Sequence, residues 1–432
     1  MAQHSGPRTG GATLALPASR DAALDAARSG CLIGVVTIHV LLVTITADPG
    51  TGALSNVMVP TGYGWYPAAS WLLQVMPLFF VVGGCASAIS WSRRSAAGAS
   101  GPSWVRARLL RLVLPAAALW AVLAAGAWTA LALGVPGDWV GLALQGLGMH
   151  LWFVGAYTLC LVAVPALHGL HRRRPGAAMG GLVLACAAVE AVRIALQQPW
   201  WGLLGFAPVW LAIHQIGFFL QDGTLRRAPR GRLVRVMAAG VVLLAGLTAL
   251  PWWGEDALST LNPPTLCMVA LGLVQACALE LLSPALRRLM SRRPARAAAW
   301  LVGSRATTLY LWHLPVIVAV MAAWWLLGGP DPAPETAGWW LWRIPIAAVC
   351  WALVLLAVRP LSVVERLADA RLESTRDDDA DRDWGSVLAA AVLVSAAALL
   401  EVRLLLGPVL VLGGAAAMAM AAVLLWRRPG GV

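Results

Sequence analysis

The sequence contains no lysine, so all 32 basic residues are arginine. Charge of either sign is scarce, at 12% of residues where a soluble domain carries about 25%. With 59% of residues apolar, too little polar surface remains to cover a globule in water. These two shortages exclude a soluble enzyme and a disordered chain. The seven cysteines lie in apolar stretches and no C-x-x-C occurs. A disulfide framework or a zinc site needs paired or clustered thiols, so buried free thiols are expected and no metal site. The first 30 residues are small and polar and lead into no cleavage signature, which argues against a removable signal. Tyrosine and phenylalanine are few (4 and 6), against 23 tryptophans.

What the chain does have is a series of apolar runs. A helix needs about 20 mostly apolar residues to span a bilayer. Twelve candidates centre on 31–47, 66–91, 112–134, 150–167, 178–197, 203–220, 236–252, 266–283, 299–327, 340–358, 385–401 and 406–426. The expected class is an all-α polytopic membrane protein. Many tryptophans fall near helix ends, among them Trp65, Trp139, Trp200 and Trp252, as an interfacial belt requires.

The net charge of +12 would suggest nucleic acid in a soluble protein. Here it is clustered. Arg8, Arg20 and Arg28 precede the first run, and Arg93, Arg94, Arg106, Arg108 and Arg111 follow the second. Further clusters follow the fourth, sixth and eighth runs, and Arg427 and Arg428 follow the last. Alternate loops carry Asp48, Asp138, Glu255, Asp256, Asp331 and Glu335 instead. Arginine-rich loops stay on the cytoplasmic side, so both termini are expected inside, and the expected location is the cytoplasmic (inner) membrane. The segments then read as an N-terminal cytoplasmic stretch, 1–30; a ten-helix core, 31–358; a charged linker, 359–384; an extra hairpin, 385–426; and a tail, 427–432. The linker holds Asp377, Asp378, Asp379, Asp381 and Asp383. The hairpin is nearly free of polar residues and reads as an appendage.

Ionisable groups within a span are costly and are functional candidates by default. They are His39, His150, Glu190, Arg193, His214, Glu280 and His313. With a helix entering near residue 31, His39 lies about 12 Å deep. A neutral imidazole there suits a general base, and on depth alone packing is an even alternative. Arg28 precedes it by eleven positions, about three turns and 16 Å along the same face. A cation at the mouth and a base inside suit an amphiphilic anionic donor, although a loop anchor explains Arg28 alone. His313, about 21 Å along a helix entering near 299, is placed to share a cavity with His39. Glu190 and Arg193 stand at i and i+3 and pair on one face, either organising the bundle or binding an acceptor.

Leu24-Asp25-Ala26-Ala27-Arg28, ten residues and His39 resemble the opening of the acyltransferase 3 family, with its L-D-x-x-R and R-x10-H pattern. Met76 to Gly84 resembles that family's P-L-F-F-x-x-S-G segment, with Gly83 where the family has serine. Arg108 to Pro115, His150-Leu151-Trp152-Phe153, and Tyr310-Leu311-Trp312-His313 resemble its later motifs in order. The resemblance implies transfer of an acyl group, acetyl most simply, from cytoplasmic acyl-CoA as co-substrate to a hydroxyl of a sugar or glycolipid acceptor, with no bound cofactor. It implies His39 as the base and Arg28 as a contact to the CoA phosphates, with Arg108 and Arg111 adding to that anion site. His313, Tyr310, His150, Trp152, Glu190 and Arg193 are acceptor or cavity candidates. Twelve helices also fit a transporter or flippase, and the motifs argue against it.

Overall fold

The computed structural model describes residues 21–47, 54–58, 63–330, 332, 336–374 and 383–427. Arg8, Arg20, Asp48, Asp331, Glu335, Asp377, Asp378, Asp379, Asp381 and Arg428 lie outside them. Twelve segments are long and apolar enough to span a membrane, as the hydropathy pattern predicts. All seven cysteines are free and buried.

The first span differs from expectation at both ends. Helix α1 runs Ala22–Leu42. Its start is set by Asp21, whose carboxylate accepts from the Ala23 amide at 3.0 Å, a good N-cap before an alanine-rich turn. Asp21 also pairs with Arg226 and, at 3.3 Å, with Arg287. Those contacts tie the start of α1 to two arginine-rich loops. Residues 43–47, expected to be helical, form strand β1 (Val43–Ala47), antiparallel to β2 (Leu54–Met58) with Ile45 opposite Asn56. The β-branched run Val-Thr-Ile-Thr favours that extended conformation.

The second span divides into α2 (Tyr66–Leu73) and α3 (Met76–Ala96). Gln74 occupies the break: its side-chain oxygen accepts from the Met76 amide, and its carbonyl accepts from Gln275 at 2.6 Å. After α4 (Gly101–Ala132), the fourth span divides likewise into α5 (Gly137–Gly148) and α6 (Trp152–Arg173), which leaves His150 in the turn between them. Then follow α7 (Pro175–Leu196), a 3-10 turn over Pro199–Gly205, α8 (Phe206–Gln221), the single turn α9 (Thr224–Arg227), α10 (Arg230–Thr248) and α11 (Leu266–Met290). The ninth run, expected over 299–327, is two helices: a short amphipathic α12 (Arg293–Gly303) and the span α13 (Ala306–Leu326). Next come α14 (Ala337–Leu361), α15 (Val363–Ser374), α16 (Trp384–Leu404) and α17 (Pro408–Trp426).

Close packing relies on missing side chains. Helices α3 and α8 touch where a Cβ on Gly84 would stand 2.0 Å from the His214 carbonyl and one on Gly217 2.2 Å from the Val81 carbonyl. Small residues let backbones approach in this way inside a membrane. The final hairpin is held by the same device, against the expectation of an appendage. Gly414 admits the ring of Trp120, and Gly155 admits Ala398 and Leu399. Buried Arg106 donates to the Leu425 carbonyl at 2.7 Å. The expected linker also carries structure. On α15, Asp369 pairs with Arg111 at 2.7 Å, and Glu365 accepts from the amide and hydroxyl of Thr308.

Candidate active site

Three histidines from three helical segments meet in the middle of the bundle. His39 stands in the last turn of α1, His150 in the α5–α6 turn, and His313 in the second turn of α13. Counted from the helix starts, His39 is about 25 Å along α1 and His313 about 10 Å along α13. They are nevertheless level, because α1 begins among the arginine-rich loops while α12 takes up the first part of the ninth run. His39 Nδ1 is 2.9 Å from His313 Nε2. The His150 ring is centred 5.2 Å from that of His313.

Backbone carbonyls set the tautomers. His313 Nδ1 is 2.5 Å from the Tyr310 carbonyl oxygen, which only accepts, so Nδ1 carries the hydrogen and Nε2 a lone pair. The hydrogen between the two imidazoles therefore belongs to His39 Nδ1. That leaves His39 Nε2 with a lone pair and no proton. His150 donates from Nε2 to the Leu311 carbonyl at 3.0 Å, so its Nδ1 is also an acceptor, and it has no partner among the described residues. A short stretch of α13 thus orients both His313 and His150, and through His313 it orients His39. The Tyr310 hydroxyl adds a bond of 3.0 Å to the His150 carbonyl. Among the described residues, no group of three His, Cys, Asp or Glu side chains has the spacing of a metal site.

Two cavities approach this centre from opposite ends of the bundle. The arginine cavity, about 250 Å³, opens among the arginine-rich loops and is lined by Arg28, Arg108 and Arg111 together with Gly83, Ser87 and Tyr157. The histidine cavity, about 320 Å³, is lined by His39, His150 and Trp152 and by loop residues of the other end, such as Asn262. Tyr310 lines both, so its buried ring is part of the partition between them.

The three arginines differ in how free they are. Arg111 is exposed and already paired with Asp369. Arg108 is held by Ser90, with its guanidinium 5.5 Å from the Trp104 ring centre. Arg28 is half-buried in the cavity wall.

A family model described as an acyltransferase domain (acyltransferase 3) matches residues 21–359. This chain belongs to the acyltransferase 3 family. It is a multi-pass membrane protein and an acyltransferase. Comparisons with curated proteins and with solved structures gave no match.

Of the remaining sequence candidates, Trp152 lines the histidine cavity and stacks on Trp210, ring centres 5.1 Å apart. Glu190 and Arg193 pair at 2.8 Å but line neither cavity. Glu190 accepts from the Leu266 amide at 3.1 Å, capping α11, and Arg193 donates to the Trp252 carbonyl, so the pair ties α7 to α11 and its preceding loop. Glu280 faces Arg226 at 3.5 Å, outside both cavities. His214 is buried against α3.

Three residues of this acyltransferase 3 protein were not evident from the sequence. Tyr157 fills the space that the missing serine side chain leaves at Gly83: a Cβ there would lie 3.0 Å from the tyrosine ring and 3.1 Å from its hydroxyl. The departure at Gly83 was visible, but its partner on α6 was not. Buried Arg343 donates to the Val43 carbonyl at 3.1 Å and lies 4.4 Å from the Trp339 ring centre, tying the end of α1 to α14. Glu401 of the hairpin lines the histidine cavity. Both are charges within apolar runs, which is the signal that singles out His39.

Proposed function

We propose that this protein moves an acyl group, acetyl in the simplest case, from cytoplasmic acyl-CoA to a hydroxyl of a sugar-containing or glycolipid acceptor. The observation that carries the reading is the Tyr310–His313–His39 relay, which leaves a lone pair on Nε2 of His39, a residue of the histidine-cavity wall beside the Tyr310 partition. The donor enters the arginine cavity, which makes the arginine-rich end cytoplasmic, in keeping with the positive-inside rule and with an inner-membrane location. Arg28 binds the CoA phosphates first, since Arg111 already has a carboxylate partner and Arg108 a hydroxyl one. The acceptor enters the histidine cavity, beside His150 and Trp152.

In the reaction, His39 Nε2 takes the proton of the acceptor hydroxyl as its oxygen attacks the thioester carbonyl. A C–O bond forms and the C–S bond breaks. The CoA thiolate leaves and takes its proton from the imidazolium. The charge on that imidazolium is stabilised through His313, whose Nδ1–H is fixed on a backbone carbonyl. Loss of a general base costs about 10²–10⁴ in rate.

The test is transfer of label from [14C]acetyl-CoA to a membrane extract of the native cells by purified protein. His39→Ala is expected to lower transfer at least 10²-fold. Full transfer by that variant would refute the assignment. The transporter reading has no remaining support, because the chain is an acyltransferase by family.

A further inference from the structure

The α16–α17 hairpin lies beyond residue 359, where the family match ends. It nevertheless contributes to the histidine cavity. Glu401, in the last turn of α16, is 5% exposed and lines that cavity with His39, His150 and Tyr310. Its carboxyl group rests against the α5–α6 turn, where a Cβ on Gly148 would lie 3.3 Å from Glu401 Oε1. A side chain at Gly148 would meet Leu406 first, at 2.9 Å, and then this carboxyl, so the hairpin packs closely on the turn that carries His150.

Among the described residues, the Glu401 carboxyl has neither a hydrogen-bond donor nor a cation as partner. Two other glutamates within spans are paired: Glu190 has Arg193 and the Leu266 amide, and Glu280 has Arg226. A buried carboxyl left unpaired is among the most costly groups a protein can hold. Leucine at this position would avoid that cost in a hairpin rich in alanine, leucine and valine. Two further acceptor atoms on residues of the same cavity also lack a donor: His150 Nδ1 and Asn262 Oδ1. An unpaired carboxyl in the cavity wall, with two more unpartnered acceptors on residues of the same cavity, matches a ligand that brings several O–H donors.

We infer that Glu401 is a positioning residue for a hydroxyl-rich acceptor, supplied to the acyltransferase core by the C-terminal hairpin. Its carboxyl accepts a hydrogen bond from one hydroxyl of the acceptor, while the hydroxyl to be acylated faces His39. This deepens the proposed function and rests on it. The hairpin is then part of acceptor recognition in this chain, and the family core alone does not complete the cavity.

The test uses the full-length protein, [14C]acetyl-CoA and a membrane extract of the native cells as the acceptor probe. Rates are measured against extract concentration and, separately, against acetyl-CoA. A hydrogen bond to a charged group contributes roughly tenfold or more in binding. Glu401→Gln, nearly isosteric, is expected to raise the half-saturating extract concentration about tenfold while leaving the KM for acetyl-CoA in place. Glu401→Asp is expected to recover part of the loss, and Glu401→Ala to lose at least as much as the glutamine variant. Unchanged half-saturation in Glu401→Gln overturns the proposal. So does an equal rise in both constants, which marks a merely structural role. If the wild-type protein does not consume acetyl-CoA at all, the proposed function itself falls. If it consumes acetyl-CoA but labels nothing in the extract, only the inference about the acceptor falls.

Discussion

His313 touches neither cavity wall as a lining residue, yet it holds the proton that decides what His39 can do. Replace it with alanine. His39 Nδ1–H then loses its acceptor at 2.9 Å. An orphaned buried donor costs about 1–3 kcal/mol. The ring can escape that cost by moving its hydrogen to Nε2, which removes the lone pair needed for base catalysis. Either route lowers kcat by roughly 5- to 150-fold. Removing His39 itself is expected to cost about 10²–10⁴. Because His313 acts only through His39, the double variant should be no worse than His39→Ala alone. Glutamine at 313 can present an oxygen near the place of Nε2 and should restore part of the rate, whereas alanine should not. The assay is turnover of [14C]acetyl-CoA under saturating conditions, with melting temperature as the check on folding. Wild-type kcat in His313→Ala, or losses that multiply in the double variant, would refute the relay.

Other outcomes follow from the same geometry. Arg28→Ala should raise the KM for acetyl-CoA about tenfold, and Arg111→Ala should do much less, because Arg111 is exposed and already paired; equal effects would remove the ranking. Gly84→Ala would press a methyl into the His214 carbonyl, and the overpacking should cost about 1–3 kcal/mol or more, seen as a lower melting temperature with the cavities untouched. Burial raises the Asp21 carboxyl, but the Ala23 amide, Arg226 and Arg287 together outweigh it and hold it below its ordinary 3.8. Its stabilisation is therefore present above that value and is lost as pH falls below it through the lower folded value. Asp21→Asn should melt lower than wild type at neutral pH, with the gap closing in acid.

How much of this was legible depends on the kind of signal. Apolar length and arginine clusters are local, and they located all twelve spans. The start of α1 is local too, but a hydropathy window passes over it: Asp21 followed by Ala22, Ala23 and Ala26 is a cap-and-propensity signal, and the segment is polar enough to hide it. The strand at Val43–Ala47 was hidden for the opposite reason, since apolar length outweighed β-branching. Both errors bear on depth. A helix started nine residues late puts His39 and His313 at different levels, although the motifs name both. That they share a hydrogen is a tertiary fact, fixed by where α1 is anchored and by α12 displacing α13. Glu190 and Arg193 were readable as a pair from their spacing, but the Leu266 amide that makes them a cap was not. Glu401 was readable as a charge in an apolar run, and only packing reveals the cavity it enters.

The backbone of α13 gives the arrangement its logic. Membrane helices normally spend every carbonyl within the helix, since no water is present to satisfy it. The Leu311 carbonyl, left without its helix donor by Pro315, accepts from His150, the Tyr310 carbonyl accepts from His313, and the Tyr310 hydroxyl returns a bond to the His150 backbone. Two imidazoles are thereby held by main-chain atoms, which no rotamer change can move. The third, His39, lines the histidine cavity and is half-buried where the other two are almost fully buried, so its lone pair is the more accessible one. On the proposed mechanism, an acyl group then needs to pass only the Tyr310 partition, with CoA staying among the arginines and the acceptor among the histidines. Tyr310→Phe, which touches no histidine, would keep the ring of the partition and lose the hydroxyl bond. It should loosen His150 while leaving the His39–His313 couple in place, which separates acceptor positioning from base catalysis.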